Sequence, residues 1–312
     1  MRKVIGIGET VLDIIFKNDQ PMAAVPGGSV FNGIISLGRS GIDASFISET
    51  GNDRVGKKII NFLKDNNVNT DNINVYPESK SPVSLAFLNE CNDAEYVFYK
   101  DHPRDQLDFI YPDVQKDDIV MFGSYYAVNP VIRPQVVAFL DYARNHGAIL
   151  YYDVNFRSAH KNEVMKLTSN ILENLEYADI VRGSIEDFEN MFNMSDADKI
   201  YRGEIEFYCK RFICTNGSKS VELRSSKLKK SYPVDDTPTV STIGAGDNFN
   251  AGFVYGLIKH GVNKDMLEAG LSEEQWDNLI FSAQQFSYNA CQSLNNSIDK
   301  DFGDQMKQEL NK

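Results

Sequence analysis

Residues 241–257 read Ser-Thr-Ile-Gly-Ala-Gly-Asp-Asn-Phe-Asn-Ala-Gly-Phe-Val-Tyr-Gly-Leu, and this stretch limits the fold most tightly. Gly244, Ala245 and Gly246 leave the main chain bare just before an acid, Asp247. Phe249, Phe253 and Leu257 then recur at i, i+4 and i+8, which predicts a helix with these side chains on one buried face. Gly252 and Gly256 weaken a helix interior, so their presence predicts close packing against a neighbouring element.

A turn of small residues that opens a helix aims N–H groups and the positive end of the helix dipole at one point, which suits an anion. Two readings of Asp247 follow. In one, Thr242 and Gly244 cap a buried helix and Asp247 is a favourable first-turn acid. In the other, Asp247 takes a proton from an attacking hydroxyl while the turn holds a phosphoryl group.

The remaining chain alternates short apolar runs with helical patterns. Val4–Gly8, Ser45–Thr50, Ile119–Phe122, Ala148–Tyr152, Ala178–Val181 and Phe212–Thr215 read as buried strands. This predicts an α/β fold, a doubly wound, mostly parallel sheet flanked by helices. Ser84–Glu90 and Glu95–Lys100 alternate as a hairpin over Cys91, Asn92 and Asp93. With residues 12–26 they would form a small second sheet. The expectation is a single domain over 1–312, with insertions at about 12–26 and 83–105 forming that sheet.

Several classes are excluded. Gly6-Ile-Gly8-Glu9-Thr10-Val11 is not a dinucleotide fingerprint, because Val11 holds the third glycine position and the following residues look extended. No Walker A motif and no repeat is present. The net charge of −12 argues against a nucleic-acid surface and an anionic membrane. The four cysteines, at 91, 209, 214 and 291, lack metal spacing and read as free thiols of a reducing compartment. Without a secretory leader pattern or a membrane-length apolar run, the expected location is cytoplasmic.

Other polar residues mark candidate binding positions. Gly27-Gly28 opens a helical pattern in which Asn32, one turn in, can both donate to and accept from a hydroxyl. Asp13 is a lone acid in an apolar stretch, and position alone leaves open an exposed edge. Asp153-Val-Asn155-Phe-Arg157 follows a strand, where open α/β sheets bind ligands. Arg157 reads equally as a contact to an acidic sugar or phosphate and as a structural ion pair.

The stretch from Gly244 to Phe253 resembles the C-terminal signature of the ribokinase-like (PfkB) sugar kinases. Gly27, Gly28, Asn32, Leu37 and Gly41 resemble the N-terminal signature of the same family. Tyr96 to Lys100 and the Asp-x-Asn-x-Arg segment are similar to those of fructokinases, the latter also to 2-keto-3-deoxygluconate kinases. The resemblance implies an ATP-dependent sugar kinase with the small sheet as a lid, and a homodimer formed through that lid. It implies Asp247 as the base and Gly244, Ala245 and Gly246 as the phosphate hole, with the amides of Ala245, Gly246 and Asp247 stabilising the charge. Asp13, Gly27, Gly28, Asn32, Lys100, Asn155 and Arg157 would hold the sugar. Ser184, Asp187, Thr215, Gly217, Gly244 and Gly246 would serve ATP, with Asp187 reaching Mg²⁺ through water. Ser184 and Asp187 stand where many members have Asn and Glu. Ser241 and Ile243 depart from the positions that bind a monovalent cation, so potassium is expected to matter little. Fructose is the preferred substrate, with ribose and 2-keto-3-deoxygluconate as alternatives. A non-catalytic binding protein of the same fold is the reading of another class.

Overall fold

The computed structural model describes residues 2–89, 94–99, 110–235 and 238–311. Strands β1 (Lys3–Ile7), β2 (Val11–Lys17), β3 (Gln20–Gly27), β4 (Asp43–Gly51), β5 (Val68–Asn69), β6 (Ile73–Tyr76) and β7 (Val83–Leu88) precede β8 (Ala94–Tyr99) and β9 (Ile119–Gly123). They are followed by β10 (Ile149–Asp153), β11 (Ile180–Ser184), β12 (Arg211–Asn216), β13 (Ser220–Ser225) and β14 (Lys229–Pro233).

Most of these form one sheet in the order β14-β13-β12-β11-β10-β9-β1-β4-β5, with β6 also paired to β4. From β5 to β12 the pairing is parallel, as in Val4 opposite Ala44 on one side and Ile119 on the other. The near-continuous apolar runs explain this. Ile119–Gly123 and Ile149–Asp153 are buried at every position, which requires a helix layer on each face. Helices Ser29–Arg39, Ala245–Lys259 and Glu273–Ala290 pack one face around Phe31, Tyr151 and Phe253. Helices Arg133–Asn145, Val164–Tyr177 and Ile185–Phe192 pack the other around Phe122, Phe139 and Phe188.

Strand order reverses at β1, since the chain builds outward to β4 on one side and then from β9 on the other. Such a switch point opens a crevice beyond the strand carboxyl ends. Asp13, Asp153 and the helix beginning at Ala245 all reach that end.

The expected second sheet is present, in the order β3-β2-β7-β8, with β2 parallel to β7 and Asp13 opposite Ser84. The hairpin turn at residues 91–93 and Lys100 lie outside the described residues. Among the elements not foreseen, three bear on the end of the sheet and of the chain. β13 and β14 extend the sheet antiparallel beyond β12, so Thr215-Asn216-Gly217 enters a hairpin rather than a crossover. A further helix, Lys300–Leu310, covers the chain end, with Met306 buried against the core. Helix Glu273–Ala290 stops at Ala290, and the chain then turns in beneath Gly244. Among the described residues no helix is long and apolar enough to cross a membrane.

Candidate active site

The Gly-Ala-Gly turn is shaped by Gly244, the N-cap residue of helix Ala245–Lys259, at φ +76°. A Cβ there would stand 2.6 Å from the Asn296 carbonyl oxygen, so both conformation and space demand glycine. The Ala245 N–H turns back to the Thr242 carbonyl at 3.2 Å, and the Asn248 N–H to that of Gly244 at 2.9 Å. The amides of Gly246 and Asp247 remain in a first turn that offers no intrahelical acceptor.

Asp247 is buried and held on both oxygens. Asn32 Nδ2 donates to Oδ2 at 2.8 Å, and Ser29 Oγ donates to Oδ1 at 2.9 Å. Burial pushes its pKa up to about 6, with Asp153 adding to the rise and Asn32, Arg157 and Ser29 opposing it. A carboxylate poised there takes up a proton near neutral pH far more readily than an ordinary Asp.

Asp13 is no exposed edge residue. It is 6 % exposed, accepts from the Ser84 hydroxyl across the β2–β7 pair, and takes the Asn296 side-chain amide at 3.2 Å. Burial raises its pKa to about 6, Glu9 and Asp247 push the same way, and the two donors pull it down. Gly27 lies directly against its Oδ2.

One cavity of about 290 Å³ is lined by Asp13, Gly28, Asn32, Asn155, Arg157, Gly244 and Asp247. Residues drawn from β2, two helix starts and the loop after β10 thus converge. The small sheet adds Tyr96 and Phe98, whose rings stack at 5.8 Å between centroids.

The residues assigned to nucleotide lie further along the sheet edge. Ser184 and Asp187 form the capping box of helix Ile185–Phe192, with the Ser184 N–H and hydroxyl donating to Asp187 Oδ2 at 2.6 and 2.8 Å. Burial and the nearby Asp153 raise the Asp187 pKa. Thr215 is the penultimate residue of β12, and Gly217 sits in the β12–β13 turn. Among the described residues no cluster of three or more His, Cys, Asp or Glu could hold a metal ion by itself.

Three residues bonded to site groups escaped the sequence reading: Ser29, Arg182 and Asn296. Ser29 Oγ, already bonded to Asp247, is 3.4 Å from Asp153 Oδ2. Asp153 accepts from Arg182 Nη1 at 2.9 Å, and Arg182 Nη2 donates to Thr215 Oγ1 at 2.7 Å. Asp153, the last residue of β10, is marked by the strand-end rule, whereas Arg182 lies in the middle of β11 and is not. Nothing local marks Asn296.

Residues 1–272 match the model of the pfkB family of carbohydrate kinases. The 5-dehydro-2-deoxygluconokinase of Geobacillus thermodenitrificans is 28% identical over 248 residues, covering 74% of this chain and 72% of its own. Probable fructokinase-5 of Arabidopsis thaliana is 24% identical over 271 residues, 83% of each chain. A fructokinase from Vibrio cholerae, solved with fructose, ADP and calcium ion, superposes with a TM-score of 0.84 at 20% identity, covering 95% of this chain and 94% of that one. The Salmonella enterica aminoimidazole riboside kinase reaches 0.80 at 21% identity over 99% of both. At such identities the superpositions establish the shared ribokinase-like fold, whereas the family match spans most of the sequence. This chain belongs to the pfkB family of carbohydrate kinases.

Proposed function

We propose that the protein transfers the γ-phosphoryl group of ATP to the primary hydroxyl of a small sugar, with fructose the first candidate. The observation that carries this is the meeting of Asp247, Asn32 and Asp13 in one cavity beside a glycine turn. Asp13 and Asn32 would orient the sugar hydroxyls, and Asn155 and Arg157 would close its far side. Asp247, poised near pH 6, accepts the proton of the attacking hydroxyl. The Gly246 and Asp247 amides, backed by the helix dipole, stabilise charge on the transferring group. Enclosing the cavity keeps water from competing with the sugar.

Magnesium fits this donor set as an ion that brings its ligands with it. Asp187 is committed to Ser184, so the ion would be held chiefly by nucleotide phosphates and water, as Mg²⁺ usually is. When bound it neutralises phosphate charge.

Arg157 in the cavity favours a second reading, a keto sugar acid whose carboxylate pairs with its guanidinium. The identity to 5-dehydro-2-deoxygluconokinases supports the same class. The test is ADP formation with Mg²⁺ on fructose, ribose, 2-keto-3-deoxygluconate, 5-dehydro-2-deoxygluconate and adenosine. Turnover of fructose alone supports the first reading, and turnover of an acid alone the second. ATP binding without turnover of any substrate would point to a non-catalytic member.

A further inference from the structure

Arg182 is an expensive residue that the site as described does not use. It is 6 % exposed, its Nε has no partner among the described residues, and its guanidinium carbon stands 5.7 Å from the centre of the Phe249 ring. Its two Nη groups are bonded to Asp153 and Thr215. A Cβ on Gly246 would lie 3.0 Å from Nη2 and 3.1 Å from Nη1, so the guanidinium backs the glycine turn directly. A buried cation is therefore set against the positive end of a helix, and among the described residues its one direct ion pair is with Asp153. Such an arrangement favours an anion on the open side of the turn.

Hydrogen-bond direction adds a second effect. Thr215 Oγ1 accepts from Arg182, so the Thr215 hydroxyl proton must be donated elsewhere. Thr215 is half-buried at the carboxyl end of β12, beside the crevice. Arg182 thereby presets it as a donor.

We propose that Arg182 is a positioning residue for the transferring phosphoryl group, acting as a fixed charge behind the Gly244–Asp247 turn and orienting the Thr215 hydroxyl toward the nucleotide phosphates. This rests on the kinase reading above. With both Nη groups engaged inside the protein, Arg182 acts through its field and through Thr215 rather than by contact.

The test compares ATP, ADP and AMP affinities by calorimetry in wild type, R182K, D153N and the double variant R182Q/D153N, which removes the buried pair as a unit. Melting curves confirm that each variant folds. R182Q/D153N should weaken ATP roughly 10- to 100-fold, ADP less and AMP hardly at all, with a parallel loss in kcat and little change in sugar KM. R182K should recover most of the ATP affinity. D153N, which leaves the cation uncompensated, should bind ATP at least as tightly as wild type. A purely structural ion pair would instead weaken all three nucleotides alike in both D153N and the double variant, and that result overturns the proposal. A wild-type protein that binds no nucleotide would remove the kinase reading itself, and the role of Arg182 with it.

Discussion

Asn32 and Asp247 lie 215 residues apart in the sequence, yet the Asn32 amide donates to the Asp247 carboxylate at 2.8 Å in a buried contact. The two family signatures are thus joined by a hydrogen bond, and one of them tunes the acid of the other. Because the donor favours the ionised form, it holds the Asp247 pKa below what burial alone would give.

Asp247→Asn should fold and bind sugar, yet lose at least ~10²-fold in kcat, the scale of a missing general base. Steady-state ADP release measures it. Turnover close to wild type would remove Asp247 from the role.

The pH response of activity and of stability should run in opposite directions. Asp13 and Asp247 both titrate near 6 in the folded protein, above the unfolded value, so the folded state binds more protons between about pH 4 and 6. Their contribution to stability therefore rises as pH falls through 6, whereas kcat/KM falls as the base protonates. In melting experiments Asp247→Asn should gain stability over wild type at pH 8, and the gain should shrink toward pH 5. A constant difference across that range would contradict the burial of an ionised Asp247.

Asn32→Ala removes a donor to ionised Asp247, so the acid limb of the kcat/KM profile should move to higher pH. Sugar KM should rise while ATP KM stays near wild type. An unmoved acid limb would show that the bond does not tune the base.

Asp53 offers a contrast, as a structural acid outside the cavity lining. It caps helix Arg54–Lys64 through the Gly56 N–H at 2.8 Å and also accepts from the Ser81 N–H and hydroxyl at 2.8 and 2.7 Å. Asp53→Ala should cost about 1 to 2 kcal/mol in denaturant unfolding, with kcat unchanged. A selective loss of kcat at full stability would assign it to the site.

Replacing sodium by potassium should leave turnover essentially unchanged. Ser241 is buried with its hydroxyl accepting the Ile243 N–H at 3.2 Å, and neither side chain brings a carboxylate to that position. Strong activation by potassium would mean that main-chain carbonyls alone build the cation site.

The legible parts of the fold share a physical reason. Buried parallel strands must be apolar throughout, so β1, β9 and β10 announced themselves, and glycine turns that open helices carry their own composition. β13 and β14 did not, because a half-exposed antiparallel pair such as Lys229–Pro233 reads as an ordinary polar surface segment. In the site, Asp247 and Asn32 were visible because they belong to helical patterns. Ser29, Arg182 and Asn296 act only through partners far away in sequence, and no local spacing records that. The roles of Ser184 and Asp187 toward nucleotide rest on resemblance, for the cap they form is sufficient structural reason for both.

Gly252 faces the backbone of helix Glu273–Ala290 so closely that a methyl group would strike the Ser282 carbonyl oxygen. Gly256 likewise meets the Leu279 side chain, at 3.1 Å from a Cβ position. These close approaches hold helix Ala245–Lys259 tightly against helix Glu273–Ala290. If the proposed phosphoryl transfer holds, closure over the cavity would fall to the four-stranded sheet that carries Asp13, Tyr96 and Phe98 rather than to this helix.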